Sequence, residues 1–417
     1  MLILHTSDWH LGRSLHRADL TPAFEMWCEH VITTVRERAI DAVLISGDVY
    51  DRAIPPASTV KLFDHTLGEL SHLTTVILTS GNHDSPQRLG FGAELMREGI
   101  YFRTDSRACS TPIAIRNSSG EIGALVYAIP YLDPDTERRR LAPAHAQSQA
   151  EPTEPNQYLE RSHEAVLGAA LERIGDDIRT GAYAGRKIAR ICMAHAFITG
   201  GNPTLSERDL HVGGVDSVPS GLFRLGKSGP GPLDYVALGH LHSPQRVGLA
   251  DDPLMRYSGS PITFSFGEAT PKSSVLLHVS DGEVRETELI PAPVWRRVST
   301  LEAPLGDLLD KKNARLRDDF VRLIVTDSAR PTDMAAQLRA VFPHALEIQH
   351  RGIRSTASTT TAEGVATRSP LAVLTEFMET AGNRALTAEE AELLQDVWEE
   401  VLRTELGEVH SHAAPAS

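Results

Sequence analysis

Five short polar motifs constrain this chain more than any other feature, because nearly every one directly follows a short apolar run. Such runs, ending in glycine or a polar turn, are typical of buried strands. Strands of one sheet end at a common edge, so polar side chains that follow them converge although they are far apart in sequence. The motifs are Ser7-Asp8-Trp9-His10, Gly47-Asp48, Gly81-Asn82-His83-Asp84, Ala194-His195 and Gly239-His240-Leu241-His242.

These motifs carry the side-chain types that bind divalent metal ions. A two-metal hydrolytic site needs a bridging carboxylate and further ligands around ions roughly 3.5–4 Å apart. Asp48 is the candidate bridge. The expected ligands are Asp8, His10 and His242 for one ion, and Asn82, His195 and His240 for the other. The pattern therefore predicts a dimetal site that hydrolyses phosphoesters.

The histidine at position 83 lies beside a predicted ligand but is not needed as one. His83 is therefore a candidate to protonate the leaving oxygen or to stabilise negative charge in the transition state. We expect the Asp84 carboxylate to hold the His83 imidazole in orientation. Both are candidate catalytic residues.

Each motif taken alone also has an ordinary structural explanation. Asp-x-His is more often a polar turn than a metal site, Gly-Asp is common at strand ends, and Gly-Asn is a turn signal. A single histidine such as His195 is usually a satisfied core or surface residue. Gly-His-Leu-His would place His240 and His242 on one face of an extended segment, which favours chelation. The joint occurrence of all five motifs favours the dimetal interpretation.

The strand-like runs alternate with amphipathic segments, which predicts a layered α/β domain over residues 1–285. Helices are expected over Pro22–Ile40, Ser58–Ser71 and Tyr158–Thr180. Residues 133–157 are rich in Pro, Ala, Gln, Glu and Arg, so we expect a flexible surface insertion there.

The C-terminal third divides into a small domain and a helical segment. The expected divisions are a small α+β domain at 291–350, a linker at 351–367, a helical segment at 368–408 and a tail at 409–417. Thr387-Ala388-Glu389-Glu390 is a capping box that starts a helix. A helix pair of this size has little core of its own, so its apolar stripe either packs on the body or binds a partner protein.

Composition is that of a globular protein, with 41% hydrophobic and 23% charged residues among 417. No apolar run approaches the roughly 18 residues that span a bilayer, and Cys28, Cys109 and Cys192 are isolated. We therefore expect a cytoplasmic protein that has no membrane-spanning segment and does not act at a membrane. The net charge of −14 gives DNA binding no support. Residues 368–408 carry ten acidic residues and three arginines, which is half of the excess negative charge, so the rest of the chain is only mildly acidic.

Five fuller stretches carry a resemblance to a known family. They are Thr6–Arg13, Ser46–Asp51, Ser80–Pro86, Ala237–His242 and Arg256–Pro261. The order and content of these stretches resemble the calcineurin-like metallophosphoesterase superfamily, and within it the SbcD-type nucleases of bacterial SbcCD complexes. The chain departs from the archaeal and eukaryotic relatives at Asp51, where they tend to have a histidine near the metal site.

The resemblance implies a metallophosphoesterase-type layered β-sandwich flanked by helices. It implies two divalent ions, Mn²⁺ with Mg²⁺ as the alternative, and cleavage of double-stranded ends, hairpins and single strands of DNA. In that family the small domain, here 291–350, caps the DNA. The terminal helices, here 368–408, bind an SbcC-type ATPase, and the nuclease is a homodimer within a heterotetramer that acts in DNA repair and recombination.

Two other functions remain open at this point. A generic phosphoesterase could use the same dimetal core, and Asp48-Val49-Tyr50-Asp51-Arg52 resembles protein phosphatases in which an arginine at this point binds phosphate. Such an enzyme has no need of residues 291–350 or of the terminal helices. A non-catalytic scaffold is the other alternative, and the complete ligand set counts against it.

Overall fold

Two mixed β-sheets that share an apolar core are the main feature of the part of the chain that ends at Arg351. The computed structural model describes residues 1–142, 158–204, 206–207, 217–226, 231–268, 271–352, 370–382 and 385–398. The chain divides into two units, Met1–Arg351 and Gly352–Ser417. No helix in the described ranges has the length and apolar character that a membrane span requires.

Each large sheet has six strands in the described part of the first unit. Sheet 1 has the order β16-β15-β1-β4-β5-β6, and sheet 2 has the order β13-β14-β12-β9-β8-β7. The strands are β1 Leu2–Thr6, β2 Ser14–Leu15, β3 Ala18–Asp19, β4 Ala42–Ser46, β5 Thr75–Thr79, β6 Ile100–Arg103, β7 Ile113–Arg116, β8 Ile122–Ala128, β9 Ala189–His195, β10 Phe197–Ile198, β11 Ser217–Val218, β12 Tyr235–Gly239, β13 Gln245–Val247, β14 Leu254–Tyr257, β15 Ser273–Ser280, β16 Glu283–Pro291, β17 Val298–Ala303, β18 Phe320–Val325 and β19 Ala345–His350.

Helices cover the outer face of each sheet. The helices are α1 Thr21–Arg38, α2 Ala57–Leu70, α3 Pro86–Leu89, α4 Pro134–Arg140, α5 His163–Thr180, α6 Leu305–Leu308, α7 Met334–Val341, α8 Pro370–Gly382 and α9 over 388–398. Helices α1 and α2 pack on sheet 1, and α5 packs on sheet 2. The helices expected over Pro22–Ile40 and Ser58–Ser71 are confirmed within two residues at each end.

The two faces of each central strand enter different cores, which explains why apolar residues occupy consecutive positions in these strands instead of every second one. On β4, Val43 and Ile45 contact the helices, whereas Ala42 and Leu44 contact sheet 2. The result is a helix–sheet–sheet–helix sandwich. The predicted layered α/β fold, a β-sandwich flanked by helices, is confirmed.

Three boundaries differ from the sequence-based expectations. Residues 134–140 of the expected flexible insertion form α4, capped by the Asp133 side chain, with Glu137 buried; residues 143–157 lie outside the described residues. The helix expected from Tyr158 begins at His163, where the Ser162 side chain accepts from the Ala165 N–H. The boundary expected at residue 285 falls inside β16, which continues as a partner of β15 as far as Pro291.

The small domain contains a parallel sheet, β17-β18-β19, with α6 and α7 over its core. Its first strand, Val298–Ala303, was not expected because charged and hydroxyl residues interrupt its apolar pattern. In the second unit, the capping box is formed: Thr387 Oγ1 accepts from the Glu390 N–H at 3.3 Å, and Glu390 accepts from the Thr387 N–H at 2.9 Å. Most of the expected linker and tail lies outside the described residues.

One prediction concerns a histidine buried between the two sheets. His5 is fully buried, and its Nδ1 lies 3.0 Å from the Tyr235 hydroxyl oxygen. Burial lowers the pKa of His5 to about 3. The unfolded chain therefore binds a proton below about pH 6.5 that the folded chain does not, so stability falls as pH falls from 6.5 toward 3. Between pH 7.5 and 5.5 this histidine should account for about 1 kcal/mol of lost stability.

The measurement is urea unfolding of the wild type and of His5→Gln at both pH values. The variant should lose less stability between them, because its side chain does not titrate. His72→Gln, which changes an exposed histidine, is the control and should keep the wild-type difference. Equal losses in wild type and His5→Gln would contradict this account.

Candidate metal centre

Four of the motifs lie at the ends of β1, β4, β5 and β12 and in the loops that follow, and the fifth, Ala194-His195, forms the last two residues of β9. These strand ends meet at one end of the sandwich. Strands β1, β4 and β5 belong to sheet 1, whereas β9 and β12 belong to sheet 2. The expectation that all ligands follow strands of a single sheet is therefore wrong. An apolar run predicts a strand, but it does not say which sheet the strand joins.

Backbone hydrogen bonds tie the first two loops together in an unusual conformation. The Asp8 N–H donates to the Gly47 carbonyl at 3.1 Å, and the His10 N–H donates to the Asp48 carbonyl at 2.9 Å. Asp8, His10 and Asp48 have φ values of 54°, 45° and 48°, in the left-handed region that non-glycine residues rarely adopt. Strain of this kind costs about 1 kcal/mol or more per residue and is typical of functional sites.

One group of possible ligands is formed by Asp8, His10 and His242. Their ligand atoms lie within 4.8 Å of one another, and all three side chains are buried. The Nε2 atoms of His10 and His242 are 3.0 Å apart. Burial holds the pKa of both imidazoles well below the usual value. Both rings are therefore neutral near pH 7, as metal coordination requires.

A second group surrounds Asn82. Its Oδ1 lies 3.0 Å from Nε2 of His195 and 3.3 Å from Nδ1 of His240. His195 Nε2 is also 3.4 Å from an Asp48 carboxylate oxygen. His240 reaches this group with a φ of 109°, so the expected extended Gly-His-Leu-His segment is not formed. His240 and His242 accordingly lie in different ligand groups.

Asp48 lies between the two groups. The same carboxylate oxygen is 3.5 Å from His10 Nε2 and 3.4 Å from His195 Nε2. Burial alone would raise the pKa of Asp48, but the neighbouring His195 and His10 lower it well below the usual value. Burial alone would lower the pKa of His195, but the Asp48 and Asp8 carboxylates raise it to about 9. A buried ionised carboxylate with nitrogen and oxygen donors on both sides fits a pair of divalent cations.

His83 and Asp84 lie at this centre, but the contact expected between them is replaced by others. His83 Nδ1 lies 2.8 Å from the Asp51 carbonyl oxygen, and the His83 N–H donates to Asp48 at 2.9 Å. Asp84 instead accepts from the N–H groups of Val49, Tyr50 and Gly81, at 3.1, 2.9 and 2.9 Å. Asp84 therefore joins the β4 and β5 loops, and a backbone carbonyl orients the His83 ring.

The His83 side chain also reaches a polar cavity of about 440 Å³. The cavity is lined by Arg13, Ser14, Asp51, Arg52, Ala53, Asn82, His83 and Asp84. Asp51 lies between two guanidinium groups, 3.8 Å from Arg13 and 3.7 Å from Arg52. His83 is also close enough to His10 and Asp48 to share a metal ion with them.

Several residues that support His242 were missed from the sequence. Ser206 Oγ lies 2.7 Å from His242 Nδ1, Glu207 accepts from the His242 N–H at 2.7 Å, and Lys272 donates to the His242 carbonyl at 2.9 Å. None of the three stands beside a ligand in the sequence. Glu268 and Lys272 follow the Arg256–Pro261 stretch, and their four-residue spacing was the one signal that could have indicated a pair.

The close approach of the two sheets generates the next prediction. A Cβ at Gly239 would overlap the Ser46 carbonyl oxygen of the opposite sheet and lie 2.8 Å from His195 Nδ1. Gly239→Ala should therefore separate the β4 and β12 ends and lower Mn²⁺ affinity at least tenfold, as measured by calorimetric titration. Gly68→Ala is the control, because a Cβ there meets no atom within 4 Å and should stabilise α2 by about 0.5–1 kcal/mol. Wild-type affinity in Gly239→Ala would refute this geometry.

Comparison with known proteins agrees with the fold. The sequence profile of the calcineurin-like phosphoesterase family matches residues 1–244. A second profile, SbcD C-terminal, described as the type 5 capsule protein repressor C-terminal domain, matches residues 294–381.

Two solved structures show weak similarity. One is a dimetal phosphatase from Danio rerio, with 10% identity and a TM-score of 0.40, covering 70% of this chain and 99% of that chain. The other is a Plasmodium protein described as the anchor in the inner membrane complex, with 11% identity and a TM-score of 0.32, covering 86% and 98%. Neither similarity is strong enough to indicate a shared function. The family match covers more than half of the chain, which therefore belongs to the calcineurin-like phosphoesterases and is a hydrolase of phosphate esters.

Proposed function

We propose that this protein is a DNA nuclease that hydrolyses phosphodiester bonds with two divalent ions and acts with an SbcC-type ATPase. The observation that carries the proposal is the presence of two features in one chain. Within residues 1–244, which match the phosphoesterase profile, lie groups of side chains that could hold metal ions, and residues 294–381 match the SbcD C-terminal profile. The substrates would be double-stranded ends, hairpins and single strands, and the ions Mn²⁺ or Mg²⁺.

The proposed ligands are divided between the two groups that Asp48 separates. They are Asp8, His10 and His242 on one side and Asn82, His195 and His240 on the other, with Asp48 between them. When bound, the two ions would polarise the phosphoryl oxygen and lower the pKa of a water molecule.

His83 would act on the leaving oxygen, because its ring lies at the cavity and the Asp51 carbonyl fixes the ring. The Asp84 carboxylate would act indirectly, by holding together the β4 and β5 loops that carry Asp48 and His83. Arg13 and Arg52 would supply positive charge for the DNA phosphates at the mouth of the cavity.

The remaining parts of the chain have proposed roles in the same reaction. Residues 291–350 would cap the DNA over the site, since they form a domain with its own core attached to the end of β16. The helical segment 368–408 would bind the ATPase, because Phe377, Met378, Leu393 and Val397 expose apolar surface on α8 and α9. The protein would act in the cytoplasm as a homodimer within a heterotetramer, in DNA repair, recombination and replication.

The first test separates metal binding from cleavage. His83→Ala should leave Mn²⁺ affinity within about twofold but reduce cleavage of linear and hairpin DNA by roughly 10²–10⁴-fold, because it removes a proton donor. His65→Ala, on the exposed face of α2, is the matched control. Equal loss of Mn²⁺ affinity and cleavage would show that His83 is a ligand. A wild type that cleaves an aryl phosphoester but no DNA with Mn²⁺ would overturn the nuclease proposal.

The second test concerns the ATPase partner. Deletion of residues 368–417 removes part of the second unit and leaves Met1–Arg351 whole. The truncated protein should retain Mn²⁺-dependent cleavage of single strands but no longer co-purify with an SbcC-type ATPase. In the full chain, Leu393→Ser with Val397→Ser should have the same effect, since both side chains are more than half exposed. Ala391→Ser with Glu392→Ser, on the same helix, is the control. Continued co-purification of the truncated protein would exclude these helices as the docking site.

A further inference from the structure

Behind His242 lies a buried ion pair, formed by Glu268 and Lys272. Their side chains are 0% and 5% exposed, and their charged groups are in direct contact. The Lys272 ammonium also donates to the His242 carbonyl oxygen and to Ser260 Oγ, each at 2.9 Å. All three of its N–H donors are therefore used.

A buried ion pair of this kind needs a reason other than stability. Removing two charges from water costs several kcal/mol per ion, and well-packed apolar residues in their place are often as stabilising or more so. The contacts of Lys272 suggest what the pair does instead. The ammonium fixes the backbone of a proposed metal ligand, the carbonyl of His242, to the following loop at Ser260.

Glu268 also faces the ring of that histidine. Its Oε2 accepts from the Phe264 N–H at 3.3 Å. Its Oε1 is buried, has no hydrogen-bond partner among the described residues, and lies 3.8 Å from His242 Nδ1. The Phe264 ring packs edge-on against both His10 and His242, with centroid distances of 5.5 and 5.6 Å. Glu268 thus lies close to the His242 ring, and it also holds the main chain of Phe264, whose ring packs against His242.

The orientation of His242 matters because its two nitrogens have different tasks. Nε2 faces His10 Nε2 in the first ligand group, whereas Nδ1, the outer nitrogen, points away from that group, toward Ser206 and Glu268. Polar groups at the outer nitrogen of a metal-binding histidine fix its tautomer and its ring orientation. Here Ser206 Oγ is within hydrogen-bond distance of Nδ1, at 2.7 Å, and the Glu268 carboxylate adds negative charge 3.8 Å from the same nitrogen.

We propose that Glu268 and Lys272 are positioning residues of the metal centre. Lys272 fixes the His242 main chain, and Glu268 keeps the His242 ring turned so that Nε2 faces the ions. The inference rests on the proposed function only in that the centre binds divalent ions, and it does not require that DNA is the substrate.

The experiment compares Mn²⁺ affinity with stability in the full-length protein. Free Mn²⁺ is measured by electron paramagnetic resonance during titration, without DNA, and unfolding is measured in EDTA. Glu268→Gln and Lys272→Met should each weaken Mn²⁺ binding by roughly ten- to a hundredfold. The double variant, Glu268→Gln with Lys272→Met, leaves neither charge buried, so its stability should return toward the wild type while Mn²⁺ affinity stays low.

Asp252→Asn is the control for the loss of an ion pair with a buried carboxylate. Asp252 pairs with Arg224, its side chain is 0% exposed, and neither residue belongs to the ligand groups. This variant should lose stability but keep Mn²⁺ affinity within about twofold. Wild-type affinity in Glu268→Gln, or a double variant that recovers both stability and affinity, would overturn the inference. Failure of the wild type to cleave DNA while it binds Mn²⁺ would overturn the nuclease proposal and leave this inference standing.

Discussion

The carboxylate of Asp48 is the group around which the rest of the centre is arranged. It is buried at the end of the sandwich where the ligands meet, accepts from the His83 N–H, and lies within 3.5 Å of imidazole nitrogens on His10 and His195. An ionised group at such a place is tolerated only if positive charge and hydrogen-bond donors surround it. The strained backbone at Asp8, His10 and Asp48 brings these partners close enough, and the sandwich around them maintains the strain.

Much of this arrangement could be predicted from the sequence because it depends on local patterns. The runs Leu2–Leu4, Ala42–Ile45 and Val76–Leu78 have apolar residues at consecutive positions, since both faces of those strands are buried, and this identified strands β1, β4 and β5. Helices α1 and α2 were predicted from their 3.6-residue periodicity. Side-chain types at the ends of the runs indicated the donor set, and the structure brings all seven predicted ligands to one end of the sandwich.

The parts that could not be predicted depend on contacts between distant residues. Which sheet a strand joins is decided by its partners, so the division of the ligands between β1, β4 and β5 in sheet 1 and β9 and β12 in sheet 2 has no local signal. The same holds for Asp84, which accepts from main-chain N–H groups 34 and 35 residues away. Lys272 and the His242 carbonyl are 30 residues apart, and no periodicity indicates that they meet.

The division of the ligands between two sheets has a mechanical consequence. The distances between ligands that belong to different sheets are maintained by the apolar layer between the sheets. In this layer, Ile3 and Leu44 of one sheet pack against Ile191 and Tyr235 of the other. Each ligand group takes side chains from both sheets, so a small slide of one sheet over the other would alter the distances within each group without moving any loop relative to its own sheet. The packing of that interior layer therefore sets the distances between the metal ligands. A substitution that changes its volume would disturb the centre as a change of a ligand would.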